Sequence, residues 1–77
     1  MSSRQYTYSE VSFLSTLEEA YEQQFHGHGE RFMREDVEEF ARGRCEMTLY
    51  CDLVAHGDIT FALDGEIEGI AVPEGAS

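Results

Sequence analysis

The chain contains no lysine and no tryptophan, and only one proline in 77 residues. Without lysine, all five positive charges are arginines; they face sixteen Asp and Glu, for a formal net charge of −11. A field of that sign repels phosphates and acidic membrane surfaces and steers the chain toward basic partners. Direct nucleic-acid binding needs a basic stripe. Arg31, Arg34, Arg42 and Arg44 cluster in the middle, but Glu30, Glu35, Asp36, Glu38, Glu39 and Glu46 lie among them. Scarce proline and a hydrophobic content of 42% exclude a disordered chain despite the charge. No apolar run approaches the roughly 18 residues that a membrane span needs. The opening MSSRQYTYSE lacks the apolar segment of a secretory signal, so a cytoplasmic location is expected. Cys45 and Cys51 are the only cysteines, and without an export signal they are expected to be reduced, buried thiols. A chain this short forms one domain at most. It buries only about 60–65% of its unfolded surface, so a partner or a second copy has burial to add.

Catalytic motifs are lacking too. There is no GxSxG, P-loop or GxGxxG. The carboxylates are many, but nothing marks a pair as catalytic, and no basic neighbour is placed to activate either thiol. His26, His28, Cys45 and Cys51 are the right residue types for zinc. The cysteines stand six apart, where structural zinc sites space them about two to four. On a helix that separation turns them about 240° from each other. The expectation is therefore a non-enzyme with no metal and no cofactor.

What is present reads as an α+β chain. Thr7-Tyr8-Ser9-Glu10 fits a capping box, with a Thr hydroxyl for the Glu10 amide and the Glu10 carboxylate for the Thr7 amide. Val11, Leu14, Leu17, Tyr21 and Phe25 then repeat at helical spacing, predicting a first helix over 7–26 with Phe13 off its main face. HGHG at 26–29 ends it. Phe32 and Met33 form either a short strand or the first turn of a second helix over 30–42. In that helix Met33, Val37, Phe40 and Ala41 share a face, and Glu35 and Asp36 suit its N-terminus. Residues 45–56 alternate as a strand would, yet Cys45, Leu49, Leu53 and His56 also fit a helix closed by Gly57. The helix is preferred because twelve residues is long for a strand here and Ala55-His56-Gly57 reads as a helix end. Ile59 to Leu63, Asp64-Gly65 and Glu66 to Val72 make a β-hairpin over 59–72, with a two-residue turn at Asp64-Gly65 and with Ile59, Phe61 and Leu63 facing one way. Residues 1–6 are an N-terminal extension and 73–77 a tail.

The order of helix, short strand or turn, two helices and hairpin resembles the winged-helix family. The resemblance is carried by REDVEEFARG, CEMTLYCDLVAHGDI and TFALDGEIEGIAV as second helix, third helix and wing, across residues 30 to 72. It implies a recognition helix and a wing. Winged-helix DNA readers place Arg, Lys, Asn, Gln or Ser on that helix. Here Glu46 and Asp52 are its fixed charges, and the wing carries Asp58, Asp64, Glu66 and Glu68. Met47, Tyr50 and Val54 make an apolar stripe that is either core, a dimer contact, or an anchor for another protein. The opening Gln5-Tyr6-Thr7-Tyr8 is also similar to the start of some type I anti-CRISPR proteins, phage-encoded inhibitors of nucleic-acid machinery.

Together these features predict an inhibitor of the DNA-mimic type. Carboxylates would occupy the arginine- and lysine-lined DNA site of a nucleic-acid-handling complex, such as a CRISPR effector. The expected partner-binding residues are Glu18, Glu19 and Glu22 on the first helix, Glu35, Asp36, Glu38 and Glu39 on the second, and Tyr50 as an aromatic anchor, with Tyr6 and Tyr8 as further candidates. Glu18 and Glu22 stand one turn apart, about 6 Å, close to the phosphate spacing along a strand. The alternative is a winged-helix-like regulator or adaptor acting through protein contacts, possibly as a homodimer. Ordinary DNA binding would require a dimer to gather Arg31, Arg34, Arg42 and Arg44 on one face.

Overall fold

The computed structural model describes residues 5–27 and 31–73, the side chains of 24–27 excepted. Three helices precede an antiparallel hairpin: α1 (Tyr8–Gly27), α2 (Arg34–Gly43), α3 (Met47–Ala55), β1 (Ile59–Phe61) and β2 (Ile67–Ile70). The chain is thus α+β, and within the stretch 45–56 the residues Met47–Ala55 are helical rather than extended.

Local chemistry explains where α1 begins. The Thr7 amide donates to Glu10 Oε1 at 2.8 Å and the Glu10 amide donates to Thr7 Oγ1 at 3.1 Å, which is the reciprocal capping box. Phe13, Leu14 and Leu17 are fully buried. Phe13 is therefore part of the main face, and its ring meets Phe40 of α2 at 5.4 Å. His28 and Gly29 of the expected stop signal lie outside the described residues.

The second helix starts four residues later than its expected position at 30. Met33 is extended, with φ −105° and ψ 164°, and forms a β-bridge with Glu66. The Ile67 amide donates to the Phe32 carbonyl at 3.2 Å and the Arg34 amide to the Gly65 carbonyl at 2.7 Å. Met33 thus makes an isolated bridge to the hairpin just before β2, short of a strand of its own. The Asp36 carboxylate then accepts the Met33 amide at 2.8 Å and starts α2.

Both α2 and α3 end in the same six-residue motif. At the end of α3 the Asp58 amide donates to the Leu53 carbonyl at 2.9 Å and the Gly57 amide to the Val54 carbonyl at 3.0 Å, with Gly57 at φ +85°. At the end of α2 the Glu46 amide donates to the Ala41 carbonyl at 2.7 Å and the Cys45 amide to the Arg42 carbonyl at 3.1 Å. There the left-handed residue is Cys45, at φ +59°, while Gly43 remains the last helical residue.

The hairpin turn is also corrected. The Ala62 amide donates to the Glu66 carbonyl at 2.7 Å and the Gly65 amide to the Ala62 carbonyl at 3.0 Å, so the loop is Leu63-Asp64-Gly65. Only Gly65, at φ +88°, takes the left-handed conformation, whereas a two-residue turn of the expected kind needs Asp64 there as well. The extra loop residue carries Leu63 away from the face of Ile59 and Phe61 and onto the tip. A second irregularity pairs Thr60 with Gly69 but Phe61 with Ile67, so Glu68 bulges outward and is exposed.

The core is one cluster: Phe13, Leu14 and Leu17 from α1, Phe32, Val37 and Ala41, Tyr50 and Leu53 from α3, and Ile59 and Ile67 from the hairpin. Met47 and Val54 pack half-buried against it. The stripe of Met47, Tyr50 and Val54 is therefore committed to the interior of the chain.

Candidate functional site

The expected acidic residues divide by helix and by exposure. On α1, Glu19 and Glu22 are exposed and Glu18 is half-buried at the flank. The buried positions 10, 13, 14 and 17 set the inward direction, and residues 8, 15, 19 and 22 project opposite to it. Tyr8, 80% exposed, stands at the start of that outward stripe. On α2, Glu35 and Glu39 are exposed, Glu38 is half-buried, and Val37 and Ala41 face the core. Asp36 is half-buried with its carboxylate on the Met33 amide, so its first duty is to hold the start of α2.

Tyr50 is corrected as a surface anchor. It is 4% exposed, within the core. Burial raises the pKa of its hydroxyl above the usual tyrosine value, and the nearby Glu38 carboxylate adds to this; a hydrogen bond to Arg34 and its charge pull the other way. Tyr6 is likewise engaged, its hydroxyl donating to the buried Asp58 at 2.6 Å. Of the three tyrosines considered, Tyr8 alone offers its ring to a partner.

The arginines are drawn into the chain's own structure. Arg31 lies 3.1 Å from Glu66 and 3.9 Å from Asp64. Arg34 stacks over Phe61 at 4.2 Å. Arg44 pairs with Glu46 at 2.8 Å and lies over Phe40 at 5.3 Å. Among the described residues, only Arg42 is exposed and outside any such contact. The outer positions of α3 are Thr48, Cys51, Asp52 and Ala55. A groove reader needs side-chain donors there, and the one charge present is negative.

The two thiols are exposed, not buried as expected. Cys45 is turned outward by the left-handed turn it occupies, and Cys51 lies on the outer side of α3. No group of three metal-ligating side chains occurs among the described residues.

Sequence reading missed how the hairpin meets α2. Met33, Arg34, Glu35, Asp64 and Gly65 line a shallow groove of about 190 Å³. A Cβ added at Gly65 would lie 3.9 Å from both Arg34 Cβ and Met33 Cε, so the tip rests directly on the start of the helix. This contact places Asp64 and Glu35 on one groove together with Arg34, and Arg31 stands 3.9 Å from Asp64. Leu63, fully exposed, caps the tip. Nothing in the local sequence pairs positions about thirty apart. The single available signal was Gly65, whose left-handed preference also fits a three-residue loop.

Compared with known protein families, curated proteins and solved structures, the chain shows no match. Among the described residues no helix is long and apolar enough to cross a membrane. The site is therefore defined by its own chemistry: exposed carboxylates on two helices and a hairpin, with three of the described arginines in contact with the chain's own carboxylates or rings at the surface.

Proposed function

We propose that this chain is a non-enzymatic inhibitor. It binds a nucleic-acid-handling protein complex, of which a CRISPR effector is the leading example, through its acidic surface and blocks the DNA site. The observation that carries this reading is the excess of exposed carboxylates. Glu19, Glu22, Glu35 and Glu39 project to solvent from α1 and α2, while Arg31 and Arg44, also exposed, stand beside carboxylates of the chain itself and Arg34 over a ring. Such a surface is attracted to basic sites over distances of about a Debye length, near 8 Å at physiological salt, and repelled by DNA itself. A rigid display of carboxylates needs no rearrangement on docking, which keeps the entropic cost of association low.

A second reading has one specific observation in its favour. The bridge from Met33 to Glu66 ties the segment before α2 to the hairpin, which fits the helix, turn, helix, helix, hairpin order of the winged-helix resemblance and favours a regulator or adaptor working through protein contacts, possibly as a homodimer. Its wing would meet protein rather than nucleic acid.

The test is an affinity capture from host lysate on the immobilised chain, with nuclease treatment, washes of rising salt and competition by added DNA. Recovery of a nuclease-resistant, nucleic-acid-handling complex that DNA displaces supports the inhibitor. Reversal of Glu18, Glu19 and Glu22 to Lys should then abolish capture. Undiminished capture by that variant rules out mimicry through α1, and a partner indifferent to DNA moves the assignment to the adaptor.

A further inference from the structure

We draw no further inference here: the strongest candidate, the outward face of α1 that carries Tyr8, Glu19 and Glu22, belongs to the acidic surface already described, and nothing in the structure shows what covers it.

Discussion

Cys45 and Gly43 have exchanged the places that helix physics would give them, and that exchange can be measured. Cys45 holds the left-handed position at φ +59°, where its Cβ crowds the following carbonyl at a cost of about 1–2 kcal/mol. Gly43 sits in the last turn of α2 with nothing within 4 Å of an added Cβ. Cys45→Gly relieves the crowding but gives the unfolded chain more freedom, which returns about 0.4–1 kcal/mol. The balance is a gain of about 0.5–1 kcal/mol. Gly43→Ala restores helix propensity and adds about 0.5–1 kcal/mol. The two positions share one turn, so the double variant should gain about 1–2 kcal/mol, with coupling of a few tenths. For a domain of this size each kcal/mol moves the midpoint by about 4–8 °C. Guanidinium unfolding followed by far-UV circular dichroism reads all three variants. As the opposite control, Gly57→Ala at φ +85° should lose about 1–2 kcal/mol. A Cys45→Gly variant less stable than its parent by more than about 0.5 kcal/mol would refute the assignment of strain to this turn.

Three further outcomes follow from the same structure. Asp36→Ala removes the acceptor of the Met33 amide and the charge at the start of α2, and should cost about 1 kcal/mol in chemical unfolding; no loss would return Asp36 to the pool of free surface acids. Arg34→Ala removes both the cover on Phe61 and the hydrogen bond to the Tyr50 hydroxyl, and should cost about 1–2 kcal/mol, with Arg34→Lys retaining part of it. Tyr50 has a raised pKa because burial and Glu38 disfavour its anion, so its contribution is complete below about pH 10, the unfolded value, and is lost as pH climbs through the higher folded value. Ultraviolet titration of the parent beside Tyr50→Phe should show that the variant has lost one late-ionising group.

Legibility followed the range of the interactions. Thr7 with Glu10 and Leu53 through Gly57 were readable because their partners lie within one helical turn. The helical choice for 45–56 held because a hydrophobic face and a stop signal agreed. Residues 32–34 were ambiguous because their hydrogen-bond partners stand at 65–67, and no local pattern reports a single bridge. Cys45 was unreadable as a helix stop, since the motif normally announces itself with glycine. Tyr50 illustrates the limit for sites: an aromatic among acids reads equally as anchor and as core, and only packing separates the two. The exposed acids of α1 and α2 were legible from spacing alone, but the groove that Glu35 shares with Asp64 and Arg34 was not.

The bridge between Met33 and Glu66 has a kinetic consequence. A hairpin of three and four residues is too short to persist alone, so its hydrogen bonds should not open independently. The amides of Arg34, Ala62 and Ile67 close one network with the start of α2, and separating any strand exposes the others. In native-state hydrogen exchange these three amides should therefore trade deuterium as a single cooperative set, at one opening free energy. The hairpin and the second helix of this chain are one moving part.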